Sequence, residues 1–205
     1  MADTPPQSVE AIDLAALVGS RLCHDLISPL GAIGNGIELL GMTGAVAATS
    51  PEFQMISEAV ANANARVKFF RVAFGQAGGG QRLGRAAITT LLADLAQGGR
   101  LSYDWQVEGD QARSEVKLVF LAALCLEAAL PWGGQLTISR ASAQWQLEAR
   151  ARRTKRDDAL WAMLAGAPGQ TAPAQVQFAL LPMELARQRR HAEWEIGEDS
   201  AAIRF

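Results

Sequence analysis

The chain has 205 residues, 49% of them hydrophobic, and a formal net charge of −2. That length can bury a real core in one domain or two small ones, and the composition excludes an intrinsically disordered chain. The charge argues against a nucleic-acid binder, no run reaches the roughly 18 apolar residues of a membrane span, and residues 1–6 lack a signal peptide's regions, so a cytoplasmic protein is expected.

The first helix is predicted over residues 9–40. Apolar or small residues recur at Ala15, Val18, Leu22, Leu26, Pro29, Ile33, Ile37 and Leu40 in alternating steps of three and four, which is a helical stripe. Residues 41–49 read as a loop. Ser50 then has the character of an N-cap, with Pro51 as the first helical residue. The second helix carries Phe53, Ile56, Val60, Ala63, Val67, Phe70 and Phe74 in heptad spacing and stops at Gly75. Two long helices with a short loop make an antiparallel hairpin. A hairpin alone leaves apolar surface open, so a second copy is expected to close a four-helix bundle.

Residues 77–84 are glycine-rich and aperiodic, which predicts a linker. Beyond it the pattern becomes mixed. Helices are expected over residues 85–97, 114–130, 157–164 and 174–190, the last with a bend at Pro182. Residues 101–107 alternate like a strand. Residues 135–140 with 145–150, and 194–196 with 201–205, read as two hairpins. The five tryptophans, Trp105, Trp132, Trp145, Trp161 and Trp194, all fall in this half and are expected in its core. Cys23 and Cys125 sit in apolar helical patterns and read as reduced thiols, with no zinc-like spacing around them.

His24 and Asp25 stand side by side in the first helix. Measured from His24, the stripe residues Ala15, Leu22, Leu26, Ile33, Ile37 and Leu40 lie within roughly 40° of the opposite side of the helix. His24 therefore points away from the core, and Arg21, Ser28, Gly31, Asn35 and Glu38 share its side. A neutral imidazole is a fair nucleophile near neutral pH if a proton acceptor holds its other nitrogen. Asp25 is placed to orient the ring or relay its proton. Pro29 leaves the carbonyl of Asp25 without its helical donor. The bland alternative is an ordinary solvated pair. The basic run at residues 150–156 reads as a solvated turn with local ion pairs, and His191 as a surface residue near a helix end.

The run His24-Asp25-Leu26, then Pro29-Leu30 and Ala32-Ile33, resembles the H-box of sensor histidine kinases. The longer run from Arg21 to Leu40, with its Cys-His-Asp-Leu and Gly-Asn-Gly, resembles more specifically the ChpT-type histidine phosphotransferases of alphaproteobacteria. The resemblance implies that His24 carries a phosphoryl group and that the second half is a degenerate histidine-kinase ATP-binding domain. The kinase pattern itself is broken. Glu127 stands where such domains place a metal-holding asparagine, and an acid there repels triphosphate. No Asp-x-Gly-x-Gly follows the strand at 145–150, and no later Gly-x-Gly lid follows either.

The expected fold is thus α plus α/β. Residues 1–76 form a helical hairpin for dimerisation and histidine phosphotransfer, residues 77–84 a linker, and residues 85–205 a kinase-ATPase-like α/β sandwich. The expected function is a histidine phosphotransferase of a multistep phosphorelay, without ATP-dependent autokinase activity. His24 and Asp25 are the expected catalytic residues. Arg21, Ser28, Gly31, Asn35 and Glu38 are expected to bind partners, Arg21 also offsetting charge near the phosphate. No cofactor, metal or ATP is expected on this chain, magnesium being supplied by the partner receiver. The resemblance implies the receiver domain of a hybrid histidine kinase as donor and cell-cycle response regulators as acceptors. The alternatives are an active histidine kinase or receiver phosphatase, with Ser28 at a water-positioning place, and a non-catalytic receiver-binding adaptor.

Overall fold

A computed structural model of the chain describes residues 7–44, 47 and 49–205, with side chains from Ala15 onward. The expected absence of a signal peptide at residues 1–6, and part of the expected loop at 41–49, lie outside the described residues. Contacts divide the chain into two units, Met1–Gln76 with Thr90–Gly98, and Ala77–Thr89 with Gly99–Phe205.

The first unit is built on helices α1 (Gln7–Met42) and α2 (Pro51–Ala73). Pro29 lies inside α1 without ending it. Ser50 caps α2, its hydroxyl accepting the Phe53 N–H at 3.2 Å, and Pro51 occupies the first turn, where its missing donor costs nothing. Ser50→Ala is expected to cost about 1 kcal/mol, measured by denaturant unfolding of the hairpin signal.

The packing of α1 corrects one expectation. The face turned to α2 runs through Ala16, Cys23, Ile27, Leu30, Gly34, Ile37 and Gly41, with Ala16 and Cys23 buried and the rest half-buried. The predicted stripe lies beside it and is largely open: Leu22 is 59% exposed, Leu26 49%, Ile33 50% and Leu40 45%. Small residues explain the choice. A Cβ on Gly41 would fall 3.0 Å from the Phe53 ring, and one on Gly19 would fall 3.2 Å from the Phe74 carbonyl. The two helices approach closely along a seam that larger side chains would prop apart. On α2 the deepest residues are Ala65, Phe69, Val72 and Ala73, not the predicted heptad. The end of helix α3 (Arg85–Gln97) groups with the hairpin, and Gly98 abuts Asn62.

In the second unit, strands β1 (Arg82–Leu83) and β3 (Gln111–Ala112) pair antiparallel. The segment expected to be a linker therefore contains a strand, too short to leave a periodic signal. The main sheet has the order β2 (Leu101–Trp105), β4 (Gly134–Ala141), β5 (Gln144–Arg150), β7 (Ser200–Arg204) and β6 (Glu193–Ile196). Strand β2 runs parallel to β4 and the other pairs are antiparallel. Strand β5 alternates as a half-covered strand should, burying Trp145, Leu147 and Ala149 and exposing Gln144, Glu148 and Arg150.

Helices α4 (Arg113–Ala129), α5 (Asp158–Leu164) and α6 (Gln177–Arg187) complete the sandwich, with α4 against β5 and β7. The predicted helix from 174 starts instead with a 3₁₀ turn, Pro173–Gln175, and Pro182 lies within α6. The Trp161 ring meets Phe178 edge-on at 5.4 Å and Trp194 at 5.3 Å, and Trp105 lies 5.6 Å from Trp145. A buried ion pair, Lys117 Nζ to Glu184 Oε1 at 2.5 Å, ties α4 to α6. Trp132 departs from the core expectation. It is 54% exposed, and the Arg153 guanidinium stacks 3.8 Å from its ring centroid, so an aromatic surface is covered by a cation rather than by apolar packing. Within the basic run, Arg156 pairs with Asp158. His191 is exposed. No helix among the described residues is long and apolar enough to cross a membrane.

Candidate functional site

Helix α1 holds His24 with its side chain 75% exposed. Its Nδ1 lies 3.1 Å from Asp25 Oδ1, and Asp25 Oδ2 accepts the Arg21 Nε–H at 2.7 Å. The three residues thus form a chain along one side of the helix, Arg21 to Asp25 to His24. The hydrogen bond with His24 does most to hold the Asp25 carboxyl below its ordinary range; desolvation opposes it, and the bond and charge of Arg21 add smaller downward effects. Asp25 therefore keeps its charge throughout the range in which imidazoles titrate. With the Nδ1–H donating to the charged carboxylate, the imidazole lone pair sits on Nε2 of a largely exposed ring, the atom that can attack an electrophile.

Behind the histidine, Cys23 is buried against α2. Burial pushes its thiol pKa up, and the charge of Arg71 on α2 pulls it partly back. Arg71 thus lies across the hairpin from the residue adjoining His24. Reading the first helix alone missed this cation. The signal was present in the antiparallel register, which sets Gly34 against Val60 and Asn64, and Gly19 against Phe74.

The predicted docking residues lie where the helix geometry put them. Arg21, Ser28, Asn35 and Glu38 are exposed and Gly31 is half-buried, all within about 60° of His24 around α1. Arg21 has its guanidinium on Asp25 rather than turned outward. Along the same side, toward the loop end of the hairpin, a groove of about 570 Å³ opens between the helices. Glu38, Gly34 and Met42 form its α1 wall, and Phe53, Ser57 and Asn64 lie on its α2 wall. That second wall was also missed. Its trace in the sequence is the line Ser57, Ala61, Asn64, small and polar residues at helical spacing beside the apolar heptad.

In the second unit, residues 151–155 follow β5, where the sequence lacks the Asp-x-Gly-x-Gly of kinase domains. Here the backbone is tied down. Ala151 N–H donates to Asp199 O at 2.9 Å, Thr154 N–H to Glu198 O at 2.8 Å, and Lys155 N–H to Ala129 O at 2.8 Å. Glu127 is half-buried near the end of α4.

Comparison with known proteins identifies the family and the fold. The family model described as the histidine phosphotransferase C-terminal domain matches residues 85–200. A protein phosphotransferase ChpT of Brucella abortus (strain 2308) is 36% identical over 137 residues, which cover 65% of this chain and 63% of that protein. The match thus spans somewhat under two thirds of the relative's length. Among solved structures, a bacterial phosphotransferase determined at 1.7 Å superposes with a TM-score of 0.65 at 20% identity, covering 99% of this chain and 98% of that one, which shows a shared fold. Helical hairpin, α/β sandwich and H-box sequence thus meet in one chain, and it belongs to the ChpT-like histidine phosphotransferase family.

Proposed function

We propose that the chain is a phosphorelay intermediate. His24 takes a phosphoryl group from the phospho-aspartate of one receiver domain and returns it to an aspartate of another. The observation that carries this reading is the exposed imidazole with its Nδ1 on Asp25. The name of the Brucella relative, a protein phosphotransferase, supports it.

In the forward step the Nε2 lone pair attacks phosphorus. The bond from phosphorus to the donor carboxylate oxygen breaks, and that carboxylate leaves with the electron pair. The proton on Nδ1 stays shared with Asp25, whose charge offsets the positive phosphoimidazole. Catalysis comes from alignment and charge compensation, with the receiver supplying magnesium. Ser28, Gly31, Asn35 and Glu38 border the acceptor, and the groove beside Glu38 gives a receiver helix an apolar seat. Arg71 offers charge from the α2 side. The open stripe at Leu22, Leu26, Ile33 and Leu40 is the surface through which two copies form a four-helix bundle.

The donor is the receiver of a hybrid histidine kinase, and the acceptors are response regulators of the cell cycle, all in the cytoplasm. Residues 1–76 carry transfer and dimerisation. Residues 85–205 keep the kinase-like fold for dimer stability and receiver docking. Glu127 and the tied-down segment after β5 argue against nucleotide chemistry there. Ser28, exposed one turn from His24, favours one secondary activity, slow hydrolysis of the receiver's phospho-aspartate.

The test compares two donors. A prephosphorylated receiver with magnesium is expected to label the chain with an acid-labile, base-stable phosphoryl group, and ATP with magnesium is expected to leave it unlabelled. Labelling by ATP alone would replace this reading with that of an active kinase. Receiver binding without transfer would replace it with that of an adaptor.

A further inference from the structure

We propose that Arg21 is a positioning residue for the acceptor: its Nε–H holds Asp25 in the rotamer whose Oδ1 accepts the His24 Nδ1–H, leaving Nε2 as the nucleophile. This rests on the phosphoacceptor reading of His24 above.

The geometry is specific. Asp25 follows His24 directly, so their side chains leave the helix about 100° apart. Contact at 3.1 Å needs Asp25 to lean around the helix toward the ring. Its side chain is 48% exposed. Left alone it would sample several rotamers, most of them turned to water. Arg21, four residues earlier, is on the neighbouring turn of the same side and binds Oδ2 at 2.7 Å. The two carboxylate oxygens are thus divided, one to the guanidinium and one to the imidazole. A carboxylate bonded at both oxygens has one orientation, and so has the ring it touches.

An alternative account, that the Arg21–Asp25 pair simply stabilises the helix, does not suffice. The Arg21 side chain is 77% exposed, and an exposed pair at this spacing adds little to helix stability. The consequence that matters is orientation. An imidazole protonated on Nδ1 presents the Nε2 lone pair to phosphorus, whereas the other tautomer presents a proton and cannot attack. After transfer the same carboxylate faces the Nδ1–H of the phosphoimidazole, and the guanidinium keeps it there. The role also separates Arg21 from the docking residues. Its guanidinium is directed at Asp25, so it acts through the acceptor rather than on the partner.

The experiment uses the full chain, wild type, Arg21→Gln and Arg21→Lys, with two phosphodonors and one spectroscopic readout. Phosphoramidate is a small donor that needs no docking surface, and a prephosphorylated receiver is the macromolecular donor. Nitrogen-15 NMR of the unphosphorylated protein reports which ring nitrogen of His24 carries the proton. Wild type is expected to hold the Nδ1–H tautomer. Arg21→Gln is expected to show a mixture and to react with phosphoramidate about 10-fold more slowly, the scale on which imidazoles lose function when an orienting partner is removed. Arg21→Lys, which can still pair with Asp25, is expected to recover much of the rate and the tautomer.

Two results overturn the proposal. One is Arg21→Gln reacting with phosphoramidate at the wild-type rate while slowed only with the receiver, which would make Arg21 a docking residue. The other is an unchanged tautomer in Arg21→Gln. Wild type that takes label from neither donor would overturn the phosphoacceptor reading itself, while the tautomer comparison would still decide what Arg21 does to the ring.

Discussion

His24→Ala is expected to take no label from a prephosphorylated receiver, a fall of at least about 10³-fold, the scale on which enzymes fail when a covalent nucleophile is removed. The argument is local. Transfer through a covalent intermediate needs an atom that attacks and then leaves, and neither residue flanking His24 in sequence is placed to supply one. Asp25 is committed to Arg21 and His24. Cys23 is turned toward α2, with its thiol pKa raised by burial. The side chain of His24 is 75% exposed and makes no packing contact worth much, so the variant should keep its fold. Its stability should match wild type within about 0.5 kcal/mol. Loss of label with unchanged unfolding and unchanged receiver affinity is the expected signature. Retained label, mapped elsewhere by mass spectrometry, would move the acceptor away from α1.

The second large effect concerns the open stripe. Leu26→Lys combined with Ile33→Lys is expected to convert a dimer into a monomer. Each of these side chains is about half exposed on the isolated hairpin, and a two-fold bundle would bury the pair twice. Burial of a large apolar side chain is worth about 1.5–3 kcal/mol. Reversing that with a charge should raise the dissociation constant by about 10³–10⁴-fold, well within reach of sedimentation or light scattering. The substitutions sit on surface that the hairpin itself does not use, so helix content should persist. A wild-type chain that stays monomeric at high micromolar concentration would sink the bundle. So would a double variant that remains dimeric.

Much of this was legible in the sequence, and the exceptions have physical causes. Helix α3 was bounded to the residue by its apolar spacing, and Ser50 with Pro51 announced the start of α2 because orphan amides demand a cap. The exposure of His24 followed from helix geometry alone. The packed seam of α1 did not. Apolar stripes are read from Leu and Ile, whereas Ala16, Cys23, Gly34 and Gly41 form much of this seam by being small. The stripe expected inside a bundle of two copies is surface that the single hairpin leaves largely open. Strands β1 and β3, of two residues each, are too short for alternation to register. Trp132 misled because tryptophan burial is a tendency of composition, and only coordinates reveal that Arg153 covers its face. The groove needed two helices in register, which a reading of α1 alone does not contain.

Helix α1 presents three sides: the proposed acceptor with its neighbours, a seam toward α2, and an open apolar stripe. What keeps them apart is rotational phase. One extra residue between His24 and Glu38 would turn everything beyond it by about 100°, so the acceptor would no longer share a side with the groove. Seven extra residues would nearly restore the alignment but carry the groove about 10 Å farther off. Drift in this segment is therefore confined to substitution, while loops elsewhere stay free to change length. On the proposed function, partner choice could then be rewritten one side chain at a time along the groove, without touching the proposed acceptor atom.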